Sequence, residues 1–149
     1  MMNSSKLLVV VFWLVWALAG CASPAKPVSE TLQDTSTYRI TGQVTYRERI
    51  ALPPKSVVTV VLEDISLADR AAVRMAETTI ATEGRQVPFK FVVAVDPAEL
   101  QPRHRYAVRA TIHDARGQLM WTTDTVHVID PTQTGAELGE LVLVRVTQP

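Results

Sequence analysis

The sequence predicts an all-β fold, a small antiparallel β-sandwich of about seven strands preceded by a signal peptide and a flexible tether. Three observations predict it. From Tyr38 onward apolar residues recur with a period of two, the spacing that places alternate side chains on one face of a strand. Turn-forming clusters at residues 52–56 and 114–117 separate well-patterned runs. No stretch carries a sustained 3.6-residue stripe, and residues 65–74 (ISLADRAAVR) leave room for a short helical turn at most.

The first strand places Tyr38, Ile40, Val44 and Tyr46 on one face, with Gly42 between them marking a bulge or a close backbone approach. Leu52-Pro53-Pro54-Lys55-Ser56 cannot continue a central ladder, because two prolines remove two N–H donors. Val58, Val60 and Leu62 form the next face. Val57 and Val61 are apolar on the opposite side, which points to a central strand or one covered on both faces. Residues 75–82 form a weaker run, and Val87, Phe89, Phe91, Val93 and Val95 give the cleanest alternation. Tyr106, Val108, Ala110 and Ile112 then face inward, while Arg105, Arg109, Thr111 and His113 face out. Asp114-Ala115-Arg116-Gly117 makes a hairpin turn, and residues 119–128 and 141–146 supply the last two β-rich runs.

Composition bounds the function. The 149 residues, 47% hydrophobic and 20% charged, suit one globular domain. With 15 Lys+Arg against 15 Asp+Glu there is no basic excess to drive nucleic-acid binding, so no nucleic-acid partner is expected. A single cysteine excludes an intramolecular disulfide and a cysteine-cluster metal site. Lys6 is followed by an unbroken apolar run from Leu7 to Ala19. That run falls short of the ~20 residues needed to cross a bilayer and has the form of a secretory signal. It ends in Leu18-Ala19-Gly20-Cys21, the Leu-small-small-Cys order of a bacterial lipobox.

Cys21 is therefore expected to be the cleavage and lipidation point, tying the protein to the membrane through its N-terminal lipid. At about 0.8 kcal/mol per buried CH₂, two or three acyl chains anchor firmly where one holds only marginally. Residue 22 is Ala rather than the Asp that retains many lipoproteins in the inner membrane, which points to the outer membrane. The expected division is a signal peptide at 1–20, an acylated N-terminus and flexible linker at 21–37, and the β-sandwich domain at 38–149. The linker holds two prolines and many small polar residues, and at about 3.3 Å per residue it reaches up to roughly 50 Å.

Several blocks resemble one known family. ITGQVTYRERIALPP from Ile40 and VVLEDISLAD from Val60 are followed by Val87-Pro88-Phe89, Asp96-Pro97, PRHRYAVRATI from Pro102 and GQLMWTTDT from Gly117. Their order resembles the YbaY/YscW-type family of bacterial lipoproteins over residues 38–146, essentially the whole folded domain. The resemblance implies a β-sandwich lipoprotein of the cell envelope. Some members are pilotins or lipoprotein chaperones that bind a secretin subunit of a type III secretion system and use their lipid to bring it to the outer membrane. Others have no assigned role, and some carry a loose label of glycoprotein or polysaccharide metabolism. The resemblance implies no catalytic residue set. The expected function is that of an outer-membrane-anchored lipoprotein with its domain facing the periplasm. Its role would be non-enzymatic and pilotin-like or chaperone-like, with a secretin or other envelope protein as partner. The alternative is an orphan envelope lipoprotein that binds a small ligand or glycan.

Residue chemistry agrees with a non-enzyme. The binding candidates are Arg47, Glu48 and Arg49, which with Glu63-Asp64 form the densest charge feature of the domain. They read either as a binding patch or as a solvated rim of pairs worth about 0–1 kcal/mol each. His104, His113 and His127 lack metal-site spacing. His113 and His127 across the hairpin turn would still lack a carboxylate or thiol beside them. Ser56 and Ser66 stand outside any G-x-S-x-G elbow, and Asp96, Asp114, Asp124 and Asp130 fall mostly at turns and strand ends. No catalytic, cofactor-binding or metal residue is expected. Trp121 reads as core or as a carbohydrate-stacking platform.

Overall fold

The computed structural model describes residues 37–147. The signal peptide expected over 1–20, Cys21 and the linker up to residue 36 lie outside the described residues. The strands run β1 (Tyr38–Tyr46), β2 (Val57–Asp64), β3 (Val73–Ala81), β4 (Phe89–Val95), β5 (Tyr106–His113), β6 (Leu119–Thr123), β7 (His127–Ile129) and β8 (Gly135–Arg145). A 3₁₀ turn, Pro97–Glu99, sits between β4 and β5. The all-β expectation holds. The run expected over 119–128 divides into β6 and β7, and the last strand starts at Gly135, ahead of the apolar pattern that begins at Leu141. Residues 65–72 form no helix, only a turn in which Arg70 N donates to Leu67 O at 3.3 Å.

Hydrogen bonding links the strands in the order β3-β2-β5-β6-β8-β1-β4, with β7 on β5. The described ladders are antiparallel except β1 with β8, the first and last strands, which run parallel. The two ends of this path, β3 and β4, lie alongside each other. The sheet therefore curls into a nearly closed barrel whose halves face each other across one core, as the layers of a sandwich do. Ile40, Val44, Val58, Val60, Leu62, Phe91, Val93, Ile112, Leu141 and Leu143 fill it. Burying each such side chain contributes about 1.5–3 kcal/mol. Trp121 is fully buried and stacks on Tyr46, with ring centroids 4.6 Å apart and planes at 13°.

Gly42 is a close approach, as its position in β1 suggested. The β1–β8 register shifts between Thr41 and Gln43, and a Cβ on Gly42 would stand 2.9 Å from Phe91 Cζ and 2.9 Å from Gly139 O. β2 has a ladder on each side, and Val61 is buried on the outer face, so the strand is central as expected. After the double proline, the Ser56 hydroxyl donates to Pro53 O at 2.7 Å. The Ser56 carbonyl accepts from both the amide and the hydroxyl of Thr82. Asp114 Oδ1 accepts from the amides of Arg116 and Gln118 and closes the β5–β6 hairpin turn.

Candidate functional site

The sheet opens into a fork. β6 pairs with β8 through Trp121–Thr123 against residues 143–145, and Val146 N donates to Met120 O at 2.9 Å just beyond that ladder. Beyond Thr123 the chain leaves the ladder at residues 124–126 and resumes as β7, which among the described residues pairs with β5 alone. Toward its N-terminus β8 keeps β1 on one side, and among the described residues no ladder joins its other edge over residues 135–142. The diverging strands enclose a cleft of about 490 Å³.

Two of the three predicted binding residues come together there. Arg47 and Glu48, just past the end of β1, line it together with Asp124, Thr125 and His127. Val142 and Val144 supply apolar surface, since they alternate with the buried Leu141 and Leu143. Arg49 is exposed and does not line the cleft. Glu140 lines it from β8 and accepts a 3.5 Å hydrogen bond from Gln43 Nε2. Val126 and Val128, on either side of His127, are 64% and 49% exposed.

The electrostatics of the cleft are unbalanced. Among the described residues Arg47, Glu48, Asp124 and Glu140 form no ion pair. Among the described residues Glu48 Oε2 is buried without a hydrogen-bond partner, as is Trp121 Nε1. A buried, unsatisfied carboxylate oxygen is costly and is rare in folded proteins. Burial first, and then the charge of Glu48, hold the Tyr46 hydroxyl above the usual tyrosine range. That hydroxyl donates to Ile50 O at 2.6 Å and pins the loop that carries Arg47 and Glu48.

The other residues weighed from the sequence have structural surroundings. Glu63 is buried and pairs with Arg109 across the outer face of β2 and β5. His113 lies opposite Leu119 and His127 opposite Val108, so the hairpin does not bring the two imidazoles together. His104 Nδ1 is 2.6 Å from Asp64 Oδ2. Among the described residues there is no group of three potential ligands around which a metal could sit. Trp121, fully buried against Tyr46, offers no face to a sugar ring. The sequence singled out Arg47 and Glu48 by charge density, but Asp124, His127 and Glu140 become neighbours only through the fork, and no local pattern announces them.

Comparison with known proteins agrees on one family. The family model for the type III secretion system lipoprotein chaperone (YscW) matches residues 35–139. The Escherichia coli (strain K12) lipoprotein YbaY is 36% identical over 144 residues, an alignment that covers 89% of this chain and 74% of that protein. Among solved structures, an alternative pilotin from the type II secretion system of Vibrio cholerae superposes with a TM-score of 0.68 at 40% identity. It covers 75% of this chain and 99% of that one.

Proposed function

This chain belongs to the YscW family of lipoprotein chaperones, and from that premise we propose that it is a non-enzymatic, outer-membrane-anchored lipoprotein that holds another envelope protein in the manner of a pilotin. Cys21 would carry the acyl anchor after removal of residues 1–20, and residues 21–37 would link it to a domain spanning 38–149 and facing the periplasm. The observation that carries the reading is the fork. A strand edge that carries no ladder among the described residues, beside Val142 and the partly exposed Val144, is a surface that native proteins normally blunt or cover, and it fits a site kept open for a partner. The solved relative at 40% identity is itself a pilotin, which makes a secretin the partner to look for first.

The test is crosslinking of the full-length lipoprotein in cells, followed by affinity recovery and mass spectrometry, with Cys21→Ala as the unanchored control. Enrichment of a secretin or another single envelope protein with the wild type, lost from Cys21→Ala, is the expected result. Recovery of nothing beyond abundant neighbours, equal in both, would overturn it.

A further inference from the structure

β8 changes neighbours along its length. Residues 143–145 face β6, but over 135–142 the strand has β1 on one side and no described ladder on the other. Gly139 lies within that open stretch, where the β1–β8 pairing shifts register. At residues 140–142 this edge borders the cleft, and among the described residues its backbone donors and acceptors there meet no ladder, the arrangement that accepts an added strand. The charges around it point to what that strand carries. Glu48, Asp124 and Glu140 stand against Arg47 alone, none of them in an ion pair among the described residues, and one Glu48 oxygen is buried without a donor. A lysine or arginine entering the cleft would satisfy that oxygen and neutralise its neighbours, whereas an acidic side chain would add repulsion. Val142 and Val144 leave an apolar side chain of the same segment a place to pack.

We propose that the open edge of β8 accepts an extended segment of a partner protein by strand addition, with a basic side chain held by Glu48, Asp124 and Glu140 and an apolar one set on Val142 and Val144. This rests on the protein-binding role proposed above and adds the place and the chemistry of the contact.

The probe is an end-capped, dye-labelled peptide repeating lysine-threonine-valine-threonine, which sets lysine and valine on one face of a strand, titrated against the full-length lipoprotein in uncharged detergent. Two controls accompany it, the glutamate-for-lysine peptide and a lysine peptide N-methylated at two successive central residues, which blocks both of its edges. The lysine peptide is expected to bind at least about tenfold more tightly than either control. Combining Glu48→Gln, Asp124→Asn and Glu140→Gln is expected to shrink its preference over the glutamate peptide below about threefold while the far-ultraviolet circular dichroism stays that of the wild type. Failure of the lysine peptide to bind, equal binding by either control, or an undiminished preference in the neutralised protein would overturn the site. If the neutralised lipoprotein still recovers its envelope partner from cells as well as the wild type does, the chaperone role stands and this surface is not where it acts.

Discussion

Asp64 shows how one side chain can join two parts of this chain. It ends β2, where Oδ1 accepts the Ser66 amide at 2.8 Å and Oδ2 lies 2.6 Å from His104 Nδ1. Ser66 Oγ in turn accepts the Arg105 amide at 2.8 Å, so the loop before β5 is tied to the end of β2. Burial pushes the Asp64 carboxyl up, but the hydrogen bonds from Ser66 and His104 together outweigh it and hold the group below its ordinary value. A carboxyl with a lower pKa folded than unfolded stabilises the protein fully above its unfolded value of about 3.9. The contribution fades as the pH falls through the lower, folded value. Asp64→Asn is therefore expected to cost about 1–2 kcal/mol at pH 7, and the gap from the wild type should narrow below about pH 4. Urea unfolding of the chain from residue 22, followed by the fluorescence of buried Trp121, measures it; a gap as wide at pH 3 as at pH 7 would show that the carboxylate's charge is not the cause. The sequence displayed Asp64 only as half of an acidic pair, because its partner His104 is 40 residues away and no local pattern reaches that far.

Among the elements, β1 and β8 depend most on two glycines. A Cβ on Gly42 would meet both the Phe91 ring and the carbonyl oxygen of Gly139, and the second is backbone that cannot swing aside. Gly139 itself holds a φ of 64°, a left-handed conformation that branched side chains resist. Gly42→Val should cost about 2–3 kcal/mol by overpacking, and Gly139→Val about 1–2 kcal/mol by backbone strain. Thermal melts check both, and a Gly42→Val protein that melts with the wild type would mean that β1 and β8 separate there at no expense. The same two strands show what was legible and what was not. β4 and β5 could be read directly, because one face of each packs in the core and the period of two survives in Phe89 to Val95 and Tyr106 to Ile112. The front half of β8, Gly-Ala-Glu-Leu-Gly-Glu from residue 135, has no such alternation and is a strand because β1 supplies its hydrogen bonds. The division of β6 from β7 was equally hidden. Leu119 to Val128 reads as one β-rich run, and it breaks where its neighbour changes from β8 to none, a property of the sheet rather than of those residues. The fork, and with it the place of Asp124 and Glu140 in the cleft, follows from that break.

Across the whole molecule, closure depends on the last strand meeting the first. β1 lies between β4 and β8, and β8 also holds β6, so β8 joins the half of the sheet containing β2, β3 and β5 to the half containing β1 and β4. Pairing between strands so distant in sequence cannot reward folding until nearly all of the domain is available, which makes the topology slow to assemble and cooperative. β8 also brings Leu141 and Leu143, both fully buried, against Val44 and Tyr46 of β1. Losing two such side chains removes about 3–6 kcal/mol of burial before any ladder hydrogen bond is counted, within reach of the 5–15 kcal/mol by which a typical domain is stable. A chain ended after Thr134 should therefore fail to fold, with red-shifted Trp121 emission, no cooperative urea transition and rapid proteolysis, whereas one ended after Thr147 should behave as the full domain. A cooperative transition in the shorter chain would instead mean that the strands before β8 form a stable sheet by themselves. In that case β8 would be an edge that docks onto a finished core, and a partner's strand could replace it rather than add to it.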